Sequence, residues 1–82
     1  MQLWIGNFAP ETTEDELREL VSKYTKLEIS RVTREDGDGS HPGAVLEFEG
    51  ADRAALYEAQ RRLNGMFWKN STLRVYLPLG QG

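Results

Sequence analysis

The chain has 82 residues, and a single domain of this length buries only about 60 to 65% of its unfolded surface, which leaves little room for a deep catalytic pocket. It contains no cysteine, which excludes disulfide bonds and thiolate metal sites. Its net charge of −3 argues against strong non-specific binding to phosphate, which needs clustered lysine and arginine.

The first predicted element is a short strand at residues 3–8, with the sequence LWIGNF. Successive side chains of a strand point to opposite faces of the sheet. If Leu3 and Ile5 face the core, Trp4 therefore stands on the open face. A tryptophan exposed there is costly unless something stacks on it.

A helix is predicted to follow from about Glu14 to Tyr24. Thr13 is its expected N-cap, and Glu16, three residues later, completes a capping box. Apolar residues recur at helical spacing and define the buried face: Leu17, Leu20, Val21 and Tyr24.

The second strand is predicted at residues 27–34, where the alternation of apolar and polar residues is imperfect. Ile29 and Arg31 share one side of this strand, and Val32 lies on the other. The pattern leaves open which side is buried. A bulge near Glu28 or Ser30 would reconcile it.

The third strand is predicted at residues 43–48, and its alternation is clear. One face, expected to be buried, carries Ala44, Leu46 and Phe48. The other face carries Gly43, Val45 and Glu47.

A second helix is predicted after Asp52, which is its expected N-cap. It is predicted to end at Asn64 and Gly65, because a glycine in the left-handed conformation commonly terminates a helix. Its predicted apolar stripe consists of Ala54, Ala55, Leu56, Ala59 and Leu63. A connector at residues 66–71 has room for a small hairpin. The last strand is predicted at residues 72–77, with Leu73, Val75 and Leu77 alternating against Arg74 and Tyr76.

The order of elements is strand-helix-strand-strand-helix-strand. Right-handed crossovers turn this order into an α+β, ferredoxin-like split βαβ domain. We expect a four-stranded antiparallel sheet in the order 4-1-3-2, with both helices on one face. The domain is placed at residues 1–78 and a short tail at residues 79–82.

Over residues 1–78 the chain resembles the RNA recognition motif (RRM) family. Residues 3–8 look like the six-residue RNP motif of that family, in which the second position, here Trp4, stacks a base. Residues 12–20 resemble the first helix of the family. Residues 63–65 and 72–75 resemble the end of its second helix and its fourth strand.

The eight-residue RNP motif departs from the family pattern, in which a basic residue, glycine and aromatics recur at fixed positions. The corresponding residues 41–48 read HPGAVLEF. The core-facing half matches, but Gly43 and Val45 stand where two base-stacking aromatics belong. Each stacked base is worth about 1–3 kcal/mol. The resemblance therefore implies RNA binding that is weaker than is usual in the family.

The predicted RNA-binding residues lie on the open sheet face: Trp4, Tyr76, Arg74, Val45, Arg31 and His41. Trp4 and Tyr76 form an expected two-ring platform, and the arginines serve phosphate or stacking contacts. His41 is a candidate for a hydrogen bond to a base or phosphate. Two alternatives stay open for the rings, because they also fit packing on each other or beneath the C-terminal tail. Arg34 and Lys69 are further candidates for phosphate contacts at the border of the sheet.

The sequence gives only weak support for three other functions, namely peptide binding, calcium binding and catalysis. An RRM subfamily that binds tryptophan-containing peptides has an acidic first helix and an Arg-x-Phe motif in the connector. This chain has the acidic helix and Phe67, but Gly65 stands where the motif needs arginine. Asp36, Asp38, Ser40 and Glu47 match four positions of an EF-hand loop whose turn glycine is absent, which indicates a chance match. The sequence contains no Ser-His-Asp or Cys-His set, so we predict no enzyme, cofactor or metal.

We therefore expect a non-catalytic RNA-binding module that contacts single-stranded RNA weakly on its sheet. The alternative is a protein-interaction RRM with little or no RNA affinity. No apolar run approaches the roughly 18 residues that span a bilayer, and no signal pattern opens the chain. We expect a cytoplasmic protein, or a nuclear one if the source is eukaryotic, with neither a membrane nor a small-molecule substrate as partner.

Overall fold

The structure, a computed structural model, describes residues 2–35 and 42–77. The main sheet has four strands, β1 (Gln2–Gly6), β2 (Ile29–Glu35), β3 (Gly43–Phe48) and β6 (Arg74–Tyr76). They pair antiparallel in the order β2-β3-β1-β6, which is the predicted order 4-1-3-2. Two helices, α1 (Glu14–Tyr24) and α2 (Arg53–Leu63), cover one face of this sheet, and among the described residues no helix or strand covers the other, which is called the open face.

Helix α1 has the predicted bounds and the predicted capping box. The Thr13 hydroxyl accepts a hydrogen bond from the Glu16 backbone N–H at 3.2 Å, and the Glu16 carboxylate accepts one from the Thr13 N–H at 2.9 Å. These bonds satisfy donors that the first turn of a helix leaves without partners. Three of the four residues predicted on the apolar face are buried, whereas Tyr24 at the helix end is 38% exposed.

Helix α2 begins after Asp52, whose carboxylate accepts a hydrogen bond from the Ala55 N–H at 2.8 Å. Its buried residues are Leu56, Ala59 and Leu63. The placement of Ala54 in the apolar stripe was wrong, because Ala54 is exposed. Ala54 precedes the buried Leu56 by two positions, and side chains two positions apart on a helix point to nearly opposite sides. Gly65 has φ +84°, as expected for a glycine that follows a helix.

A bulge in β2 at Ser30 resolves the ambiguous alternation of that strand. Ile29 pairs with Phe48 and Arg31 pairs with Glu47, so Ser30 is an extra residue between two successive pairs of the ladder. Its hydroxyl donates to the carbonyl oxygen of Glu47 at 3.0 Å. The bulge puts Ile29 on the core side and Arg31 on the open side, which corrects the expectation that these two share a face.

The core lies between the sheet and the helices. Strands β1 and β3 supply the centre of this layer, and their core-facing side chains are buried as the alternation predicted. Full burial of one large aliphatic side chain contributes about 1.5–3 kcal/mol. The fully buried members from the sheet are Leu3, Ile5, Ala44, Leu46 and Val75.

The predicted small hairpin is present in the connector, as strands β4 (Phe67–Trp68) and β5 (Ser71–Thr72). Thr72 therefore belongs to the hairpin, and the last strand of the main sheet is shorter than the predicted residues 72–77. Asn7, at φ +64°, donates through its side-chain amide to the Thr72 carbonyl at 2.8 Å. This bond ties the end of β1 to the hairpin. Trp68 packs against the core, whereas Phe67 is 70% exposed.

Candidate nucleic-acid interface

The open face of the sheet is organised around Trp4 at the centre of β1. Trp4 lies directly opposite Val45 of β3 on one side and Tyr76 of β6 on the other. Residues directly opposite in an antiparallel pair have side chains on the same face. The sheet therefore brings together in one row three residues that the sequence predicted for the site.

The Trp4 indole lies over the backbone of two glycines that also face each other across the sheet, Gly6 and Gly43. A Cβ added to Gly6 would lie 2.2, 2.7 and 2.8 Å from three consecutive atoms of the six-membered ring. A Cβ added to Gly43 would lie 2.7 Å from Trp4 Cζ2. The similar distances to consecutive ring atoms mean that the indole presents its face, not its edge, to the backbone. Only glycine leaves room for this arrangement.

Trp4 and Tyr76 together supply the aromatic surface of the site. Their centroids are 5.3 Å apart and their planes are inclined by 29°, which is an offset stack. Trp4 is half-buried, and Tyr76 is 51% exposed. The two rings thus pack on each other, which was one of the alternatives that the sequence left open. Both still present aromatic surface to solvent.

The two predicted arginines of the open face occupy different electrostatic settings. Arg74 pairs with Gly6, so it lies beside the two-ring stack with no carboxylate directly opposite. Arg31 lies directly opposite Glu47 on the neighbouring strand. A carboxylate at that position lowers the local positive potential. Arg74 is therefore the better placed of the two for a phosphate.

Two further candidate phosphate contacts have partners inside the protein. Arg34 lies with its guanidinium 5.1 Å from the centroid of the Phe8 ring and donates to the carbonyl oxygen of Thr12. Lys69 forms an ion pair with Glu16 and lies 5.7 Å from the centre of the Trp68 ring. The hydrogen bond from Lys69 is the leading cause that holds the pKa of Glu16 below its ordinary value, followed by the backbone bond from Thr13. Both cations therefore have partners near the N-terminal end of α1.

Several sequence candidates lie outside the described residues, namely His41 and the EF-hand matches Asp36, Asp38 and Ser40. Within residues 2–35 and 42–77, no group of three histidine, cysteine or acidic side chains is placed to hold a metal ion. In that same part of the chain, neither helix has the length and hydropathy needed to cross a membrane.

The sequence reasoning missed the role of the glycines. Gly43 was interpreted only as a lost aromatic, and Gly6 was given no part in the site. A signal was present, because Gly6 follows the central aromatic by two residues and so points to the same face. A glycine at that spacing marks a place where another group approaches the backbone closely.

Comparisons with known proteins agree with the fold. The family model described as RNA recognition motif matches residues 3–74. The fold is similar to the Mip6 RRM3 domain, with 21% identity and a TM-score of 0.76 over 92% of this chain and 88% of that one. It is also similar to the N-terminal three RNA-binding domains of the yeast splicing factor Prp24, with 20% identity and a TM-score of 0.78 over 96% of this chain and 34% of that one.

A third similar structure is the C. elegans NONO-1 homodimer, with 26% identity and a TM-score of 0.73. That match covers 95% of this chain and 28% of the other. A sequence comparison with curated proteins gives no match.

Proposed function

The chain belongs to the RNA recognition motif family, and on that basis we propose that its open sheet face binds single-stranded RNA weakly, with Trp4 and Tyr76 as the stacking residues. The observation that carries this proposal is the pair of stacked rings at the centre of a sheet face that neither helix covers. Bases stack on aromatic side chains whatever their sequence, since every base has a π-face.

The arrangement of charges supports a short contact with the RNA backbone. Arg74, exposed beside the rings, is proposed to contact a phosphate next to the stacked base. Arg31 contributes less because Glu47 lies opposite it. Val45 supplies apolar contact at the third position of the row.

The proposed affinity is low for two reasons. Two rings are available instead of three, and each missing stack costs about 1–3 kcal/mol. In addition, part of the Trp4 ring already contacts Tyr76, so a base gains only the remaining aromatic surface.

A titration of the isotope-labelled protein with pools of short single-stranded RNA tests the proposal. We expect amide shifts at Trp4, Val45 and Tyr76, and a shift of the Trp4 indole N–H signal. Trp4→Ala is expected to abolish these shifts while the fold is kept. Phe67→Ala is the matched control, because Phe67 is a more exposed aromatic that lies in the hairpin and not on the open face.

The second candidate function is a protein-interaction module with little or no RNA affinity. It is favoured by the same stack, because Trp4 and Tyr76 partly satisfy each other without a ligand. Shifts that stay flat with every RNA pool, or that Trp4→Ala leaves unchanged, would favour this candidate and contradict the first.

A further inference from the structure

A groove of about 360 Å³ lies between the C-terminal end of α1 and the middle of α2. It is on the helix side of the molecule, away from the rings of the open sheet face. Nothing in the proposed RNA site uses it. Its lining combines an apolar floor with a charged rim, and the two parts point to one kind of occupant.

The floor is apolar because small residues of α2 face the end of α1. Ala59 is buried and Ala55 half-buried, and neither side chain is large enough to fill the space beside the first helix. Leu27 is half-buried at one end of the floor, and Tyr24 is 38% exposed at its side. An aliphatic side chain of a ligand finds apolar contact here on several sides.

The rim is positively charged although the whole chain is negative. Lys23, Lys26 and Arg62 line the groove, against one carboxylate, Glu58. Glu58 is occupied by Arg62, with 3.2 Å between the guanidinium and the carboxylate. The two lysines therefore stand without a lining carboxylate to offset them. Lys23 lies 5.6 Å from the centre of the Tyr24 ring, so it flanks the apolar floor.

We propose that this groove docks a short acidic peptide segment of a partner protein, which places one aliphatic side chain on the floor and carboxylates against Lys23 and Lys26. Charge complementarity selects an acidic segment and steers its approach. A nucleic-acid strand fits less well, because the alanine floor offers no ring for a base to stack on, whereas it accommodates an aliphatic side chain. The proposal is independent of the RNA site, since the two surfaces lie on different faces.

The test is a selection of random peptides displayed on phage against the intact chain, followed by titration of the labelled protein with a synthetic peptide of the selected sequence. We expect enrichment of acidic residues around one aliphatic residue. The peptide should shift the amides of Tyr24, Leu27 and Ala55 and leave that of Trp4 unchanged.

A matched pair of variants makes the test specific. Ala55→Glu places a carboxylate in the groove, and Ala54→Glu places the same group one residue earlier, where it is exposed and does not line the groove. Both lie in the first turn of α2, where acidic residues favour the helix, so we expect both variants to fold. Ala55→Glu should weaken the peptide more than about tenfold, because like charges become neighbours. Ala54→Glu should leave the affinity within a factor of about two.

Three results would overturn the proposal. They are a selection without acidic enrichment, a selected peptide whose shifts map to the sheet, and equal affinities for the two variants. Displacement of the peptide by single-stranded RNA, with the groove amides shifting in the RNA titration, would assign the groove to nucleic acid instead.

Discussion

The two faces of the sheet differ although they are built from the same strands. On the core face, Leu3, Ile5 and Leu46 are fully buried and follow the pattern of the family. On the open face of β3, Gly43 and Val45 stand at positions where the eight-residue RNP pattern has aromatics. Because neighbouring residues of a strand point to opposite faces, each face can change without the other. The fold is thus specified by one set of residues and the candidate site by the set between them.

The open face has fewer aromatics than the RNP pattern, but it also has a packing of its own. The space left by the missing aromatic at Gly43 is occupied by the indole of Trp4, which lies across to that position. A glycine at position 43 is therefore needed for this orientation of the indole, because a side chain there would meet the ring. Three predictions test this difference between the faces, in order of decreasing expected effect, and a fourth concerns a residue outside the sheet.

Leu46→Ala and Val45→Ala compare the two faces at adjacent positions of β3. Leu46 is fully buried, so its truncation should lower the free energy of unfolding by about 2–5 kcal/mol. Val45 lies half-buried on the open face, and its truncation should cost about 1 kcal/mol or less. Urea denaturation of both variants measures the difference. Similar costs at the two positions would show that the faces are not energetically distinct.

Gly43→Ala tests whether the open face has its own packing. Gly43 has ordinary strand geometry, so the cost of the change comes from the indole, which must move away from a Cβ that would lie 2.7 Å from it. We expect a loss of about 1–3 kcal/mol in the free energy of unfolding. The stack on Tyr76 should also be disturbed, which the chemical shifts of both rings report.

The Trp4→Ala background provides the control for Gly43→Ala. With the indole absent, the added methyl group meets no ring, so the cost of Gly43→Ala should disappear. The change should then be neutral or stabilising by about 0.5–1 kcal/mol, because alanine loses less conformational freedom than glycine on folding. A cost that persists in this background would place the origin of the strain elsewhere.

Arg74→Ala and Arg31→Ala test which arginine of the open face contacts a phosphate. If Arg74 contacts a phosphate, its removal should reduce the slope of log K against log salt by about 0.7, the value for one phosphate of a single strand. Arg31→Ala should change the slope less, since Glu47 lies opposite. Binding of a labelled RNA at several salt concentrations measures both slopes. A larger effect of Arg31 than of Arg74 would reverse the assignment.

Glu16→Gln should have the smallest effect, because it touches neither face of the sheet. The pKa of Glu16 is lowered in the folded protein, so the stabilisation from its charge is present above about pH 4.5 and is lost as the pH falls through the folded-state pKa. The wild type should therefore lose more stability than the variant on acidification below that pH. Thermal denaturation across this range provides the comparison, and parallel curves would contradict it.

The sequence was sufficient wherever a local pattern determines the environment. Thr13 and Glu16 form their capping box within one turn of helix, and the alternation of Ala44, Leu46 and Phe48 is complete in six residues. The sequence narrowed the position of the bulge to two residues, but Ser30 is identified only through the pairing of β2 with β3, in which Ile29 lies opposite Phe48 and Arg31 opposite Glu47.

The orientation of the Trp4 indole could not be predicted from a local sequence pattern. The direction in which a tryptophan ring lies on a sheet depends on which positions nearby lack side chains, and Gly43 becomes a neighbour of Gly6 only through the pairing of β1 with β3. The boundary of the last strand was misjudged for a similar reason. Thr72 alternates correctly for a longer strand, but it pairs with Phe67 in the hairpin.

The position of the Trp4 indole over two glycines also gives the protein an internal spectroscopic reporter. Protons that lie against the face of an aromatic ring are shielded by its ring current, so the α-protons of Gly6 and Gly43 should resonate upfield of ordinary strand glycines. Trp68 lies in the hairpin and should not produce this shielding. Any ligand that lifts or tilts the indole would move these two signals toward ordinary values, and a ligand that stacks on the outer surface would leave them shielded.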